Sequence, residues 1–178
     1  MGGLVRRVVR LAALTAIAAL VLERWLRDQV AATTPAPIRT SVVIAAPIER
    51  VWQILADIER QPEWMHDLRN VRLTTPPPVG VGTQATGRVQ VFGIAVEDPV
   101  EITAFDAPSH FAIRHGGTFT GSGDIRLAAE PDGSTTVAWD EVLVAPVLPH
   151  LGGLVLAMVF WPIFQRDLER LAALVEAG

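Results

Sequence analysis

Between Ile38 and Leu143 the chain is divided by turn chemistry into short extended runs, and this constrains the fold more than any other feature. The runs cover 38–46, 68–75, 82–92, 94–106, 109–115, 119–130 and 134–145. Pro76-Pro77-Pro78, Phe92-Gly93, Asp106-Ala107-Pro108, Gly116-Gly117 and Pro131-Asp132-Gly133 separate the later ones. These residues pre-set or permit turn dihedrals and interrupt ladder hydrogen bonding. Strands joined this closely pair antiparallel with their neighbours, so a curved meander is expected.

Two helical patterns flank the strands. After Pro47, Ile48, Val51, Trp52, Leu55 and Ile58 recur at helical spacing, with Glu49, Arg50, Gln53 and Glu59 on the opposite side. That helix should end at Gln61-Pro62, and "PEWMHDL" reads as a short second one. From about Leu148 to Glu176 a long helix carries Trp161, Phe164, Leu168, Leu171 and Val175 on one stripe, with Gln165, Arg166, Asp167, Glu169 and Arg170 outside it. Pro162 should kink it. The chain is therefore an α+β protein of about seven strands whose apolar sheet face is buried by laying the long C-terminal helix across it.

Composition narrows the chemistry. The chain has 178 residues, half of them hydrophobic, with a mean hydropathy of +0.35. That suits one domain with membrane contact or unusually apolar helices. The first 30 residues hold Arg6, Arg7, Arg10, Arg24 and Arg27 against Glu23 and Asp28, a local +3, so with a net charge of −4 the remainder carries −7. A main domain this acidic argues against nucleic acid as a partner. There is no Cys, Lys or Tyr, which removes thiol, Schiff-base and phenol chemistry. Proton transfer is left to Asp, Glu and four His.

The N-terminal stretch, 1–30, places three Arg before an uncharged run of twelve residues, Leu11–Leu22. This order fits a signal sequence, but no small-x-small site follows the run closely. The run is shorter than the ~20 residues of a bilayer span, although Arg can snorkel and Trp25 can sit at the interface. Three readings stand: an uncleaved membrane anchor or interfacial helix, a cleaved signal, and a helix packed on its own domain. A spanning segment would keep its arginine end inside and put the domain on the extracytoplasmic side. "AATTPAP", 31–37, reads as a linker, leaving a domain over 38–177.

In order, "SVVIAAPIERVWQILADIERQPEW", "GVGTQ", "VEITAFDAPSHFAIRH", "GSTTVAWDEVL" and "FQRDLERLAALVE" resemble the START-like (SRPBCC) superfamily in its polyketide cyclase/dehydrase branch. The resemblance spans roughly 38–177. It implies a helix-grip fold with a deep cavity between sheet and last helix, used for lipids, polyketides and other apolar ligands. It includes enzymes and carriers and implies no universal catalytic residues. On this reading Trp64 covers the cavity mouth or staples the short helix to the core.

Strand alternation marks the residues facing such a cavity. Asp98 shares parity with Val96, Val100 and Ile102, His115 with Phe111 and Ile113, and Glu141 with Val137, Trp139 and Leu143. In a meander all three titratable groups lie toward one end of the sheet. They form either a cluster for acid–base catalysis or rim and structural polars. The run Leu151–Phe164 is uncharged, and its inner face, with Met158 and Trp161, is expected to line the cavity. Its outer face is apolar enough to meet a membrane or the N-terminal helix.

Other motifs fail their context. His110 and His115 point to opposite strand faces, and no His pair has metal-binding helical spacing, so no metal site or cofactor is expected. "GVGTQA" precedes a strand rather than a helix, and Ser122 lacks a strand-to-helix elbow. Three functions compete. One is binding of a small hydrophobic ligand at a membrane. Another is cyclase/dehydrase-type catalysis by Asp98, His115 and Glu141, and the last is docking of a protein partner through 151–164. The oligomeric state has no signature in the sequence.

Overall fold

The computed structural model of the protein describes residues 2–29, 35–91 and 93–178. Linker positions 31–34 and Phe92 of one expected turn lie outside the described residues. The order is α1 (Gly2–Gln29), β1 (Ile38–Ile44), α2 (Ile48–Leu55), a 3-10 turn (Gln61–Glu63), β2 (Leu68–Leu73), β3 (Gln84–Val91), β4 (Ile94–Asp106), β5 (His110–Gly116), β6 (Thr120–Ala129), β7 (Thr135–Val144) and α3 (Pro149–Ala177). The strands form one antiparallel sheet in the order β1-β7-β6-β5-β4-β3-β2. Only β1 leaves the meander, returning the first strand to the edge beside the last.

Edge strands expose unpaired backbone groups, and α3 covers that of β1. Trp161 Nε1 donates to the Arg39 carbonyl at 3.0 Å and Gln165 Nε2 donates to that of Ser41 at 3.1 Å. The C-terminal half of α3 buries Leu168, Leu171 and Val175 completely, against Ile44, Val51, Leu55 and Val137. Each such side chain contributes about 1.5–3 kcal/mol on burial. Helix α2 plugs this end with Val51, Trp52 and Leu55, its start favoured by Pro47 at φ −61°. Trp52 meets Phe105 edge-on, and Phe105 meets Phe111.

Local details depart from the expected pattern. "PEWMHDL" is not a helix; a 3-10 turn one step earlier, over Gln61–Glu63, leads into Trp64, which is wholly buried beside Trp139. Ile58 falls beyond the end of α2, yet it is still buried in the core. Asp167 was expected among the outward residues but is 2% exposed, on the same helix face as Phe164 and Leu171. A bulge between Ile102 and Ala104 lets both Ile102 and Phe105 join the core, which strict alternation forbids.

Two glycines in β6 shape what lies above them. Gly121 has φ +146°, and a Cβ there would strike the carbonyl of Val142. Gly123 lies between Ile113 of β5 and Glu141 of β7, and a Cβ there would come within 2.6 Å of Glu141 Oε2. Gly121→Ala should lower stability by about 1–3 kcal/mol from backbone strain alone. Urea unfolding of the two proteins, followed by tryptophan fluorescence, checks this.

Candidate functional site

Between the sheet and α3 lies a cavity of about 160 Å³. Its wall is mainly apolar: Val100, Ile102, Phe111, Ile113 and Trp139 from the sheet, with Phe160 and Phe164 from α3. Phe160 and Phe164, one helical turn apart, stack at 5.4 Å, and Phe164 also packs 4.7 Å from Trp139. The other expected lining residues lie elsewhere. Met158 is 81% exposed, Trp161 faces the β1 edge, and Trp64 is sealed in the core. The reason is angular: Phe160 and Phe164 hold the inner face, so Met158 and Trp161 fall outside it.

Asp98, His115 and Glu141 all reach the cavity wall and bond to one another. His115 Nδ1 meets Asp98 Oδ2 at 2.7 Å, and Nε2 meets Glu141 Oε1 at 2.8 Å. Glu141 Oε2 accepts from Trp139 Nε1 at 2.9 Å. The register explains the reach. His115 pairs with Gly121 on β6, and Glu141 pairs with Gly123 on the same strand. With no side chain at Gly123, where a Cβ would meet Glu141 Oε2, groups on β5 and β7 meet across the intervening strand. Pro99 does not disturb the parity, since Asp98 stays in the ladder opposite Gly87.

Burial alone would push the His115 pKa down. The hydrogen bonds and negative charges of Asp98 and Glu141 outweigh it and push the value up to about 10. His115 is therefore an imidazolium near neutrality, donating from both nitrogens. Burial raises the Glu141 pKa, against the opposing bonds from His115 and Trp139.

A second polar group on the wall comes from Asp67 and Asp167. Asp167 Oδ1 accepts the backbone N–H of His66 at 2.9 Å, and burial pushes its pKa up to about 6. Burial also raises Asp67, whose Oδ2 is enclosed without a hydrogen-bond partner. The spacing Phe160, Phe164, Asp167, Leu171 on one helix line was the available signal for Asp167, hidden by the charges on either side. His110 lies apart from this cavity, bonded to Asp124 at 2.9 Å. Among the described residues no group of three His, Cys, Asp or Glu is arranged to hold a metal.

A meander wrapped on one long helix around a mainly apolar cavity defines a helix-grip, START-like protein. A family model described as polyketide cyclase / dehydrase and lipid transport matches residues 35–176. The chain belongs to that family. Solved structures agree on the fold. A START superfamily protein from Mycobacterium smegmatis superposes with a TM-score of 0.65 at 17% identity, covering 80% of this chain and 98% of that one. An aromatase/cyclase from a Streptomyces species gives 0.63 at 20% identity, covering 79% and 93%. A hypothetical protein from Helicobacter pylori gives 0.68 at 13% identity, covering 82% and 91%. No curated protein sequence matches.

The raised His115 value sets the pH dependence. A folded pKa above the ordinary 6.5 stabilises the protein fully below that pH, and the contribution is lost as pH rises through about 10. Imidazole NMR should show His115 titrating near pH 10, well above the ordinary 6.5. Glu141→Gln should move that titration downward, because one of the two carboxylates holding the proton is gone.

Proposed function

We propose that the protein binds a small apolar ligand in this cavity, at a membrane, with one polar group of the ligand set against Asp98, His115 and Glu141. The observation that carries the reading is the cavity itself: a mainly apolar space with its few polar groups gathered on the wall, as ligand sites are built. A space of this order holds a single aromatic ring. Among lipid, polyketide and isoprenoid-like ligands, compact cyclic ones suit it better than extended chains. Helix α1 supplies the membrane association, with Arg6, Arg7 and Arg10 on the inner side and the domain outside.

Catalysis of the cyclase/dehydrase type is the second reading, and the cluster of Asp98, His115 and Glu141 favours it. The geometry weighs against it as the first. A general base needs a free lone pair aimed at the substrate, and both nitrogens of His115 are engaged by carboxylates. At a pKa of about 10 the ring also holds its proton near neutrality. With its donors spent on the carboxylates, the cluster is better suited to accepting a hydrogen bond from a ligand hydroxyl than to cycling a proton.

Native mass spectrometry of the full chain in mild detergent tests the first reading. The expected result is a defined adduct, lost on organic extraction and absent from Ile113→Trp, which fills the cavity. An adduct of equal abundance in Ile113→Trp would overturn cavity binding. The second reading predicts that His115→Ala abolishes turnover of a bound polyketide-like substrate while the adduct persists. Turnover that survives in the triple alanine variant at 98, 115 and 141 would end it.

A further inference from the structure

Helix α1 touches the domain along one short stripe. Ala19, Glu23 and Leu26, spaced by four and three residues, are its only positions from 4 to 29 that are buried or half-buried, and α3 is its neighbour. The contact centres on Glu23, which is 4% exposed. Its Oε2 accepts the backbone N–H of Leu151 at 2.8 Å, and its Oε1 accepts that of His150 at 3.1 Å and meets His150 Nδ1 at 3.0 Å. These are orphan donors of the first turn of α3, whose own N-cap, Leu148, offers no side-chain cap. A carboxylate from α1 thus caps α3, where the positive end of the helix dipole favours it. The two helices are joined as one unit.

The rest of that unit is bare, and it is apolar from Leu11 to Leu22 in α1. The uncharged residues 11–18 of α1 are exposed on every side, with Leu11, Leu14 and Ile17 among them. On α3, Leu154, Met158 and Trp161 lie one turn apart along an exposed stripe, beside exposed Val155. Most of the apolar part of this helix is not buried in the protein, and by length and composition α3 could cross a membrane. Its second half is the core of the domain, so it does not span. A single flat partner covers one side of a helix. A helix apolar all round needs a medium that surrounds it. Arginines at both ends of the Leu11–Leu22 run, Arg6, Arg7 and Arg10 before it and Arg24 and Arg27 after it, match anionic headgroups.

We propose that the first half of α3 is a second membrane-contacting element: Leu154, Val155, Met158 and Trp161 rest in a bilayer with anionic headgroups, held there by the Glu23 cap that joins α3 to α1. The inference rests on the reading of α1 as the membrane-associated helix and adds a contact that α1 alone does not require. It makes the approach of the domain to the bilayer a fixed one, with the α3 side of the cavity toward the lipid.

The absence of cysteine makes the test direct. Single-cysteine variants Leu14→Cys, Met158→Cys and Val43→Cys carry a nitroxide label in the full chain, reconstituted into phosphatidylcholine–phosphatidylglycerol vesicles. Labels at 14 and 158 should gain relaxation by oxygen and lose relaxation by a water-soluble nickel chelate, while the label at 43, on β1, does the opposite. Glu23→Gln should return the label at 158 toward water while the label at 14 stays in lipid. A label at 158 in water with that at 14 in lipid overturns this inference and leaves the anchor standing. Both labels in water overturn the membrane reading itself. Dipolar coupling between labels at 158 would instead identify a second copy as the occupant, which also overturns the inference.

Discussion

The structure depends on one burial event, the closing of the sheet by the C-terminal half of α3. Leu168, Leu171 and Val175 are removed from water there, and Trp161 and Gln165 complete the exposed edge of β1. Half a helix is enough for this. Toward its N-terminus the same helix meets the sheet through Phe160 and Phe164, whose rings bound a space instead of filling it. Core and cavity are two stretches of one helix lying on one sheet, so the cavity needs no separate scaffold.

The polar cluster is a product of deletion as much as of placement. Strands β5 and β7 are not neighbours, and side chains on them would ordinarily be separated by those of β6. Gly123 removes that obstacle beneath the Glu141 carboxylate, and His115 and Glu141 meet across the intervening strand. The burial cost of the imidazolium is offset because each of its nitrogens has a carboxylate partner. Trp139 completes the chain of bonds with its indole N–H on Glu141.

Much of this was legible in the sequence, and the limits have physical causes. Turn residues marked the strands to within a residue or two, because proline and glycine act locally. Period-two parity brought Asp98, His115 and Glu141 to one face, because alternation survives Pro99 on β4. The lining contributed by α3 was misplaced, because an apolar run without charges has no periodicity to say which residue faces in. Nothing in that run distinguishes Phe160, which lines the cavity, from Met158, which does not. Asp167 was read as a surface charge because its burial depends on His66, a hundred residues away in the chain. Glu23 raised no signal either, since a carboxylate that caps another helix looks in sequence like any charge at the end of an apolar run.

The bond from Trp139 to Glu141 has an optical consequence. With no tyrosine in the chain, near-ultraviolet emission comes from five tryptophans alone. One of them lines the cavity with its indole N–H on a carboxylate that is itself bonded to His115. Indole emission responds to nearby charge, so a molecule that enters the cavity and disturbs this cluster alters a chromophore already in place. The protein thus carries its own occupancy gauge, readable without a label.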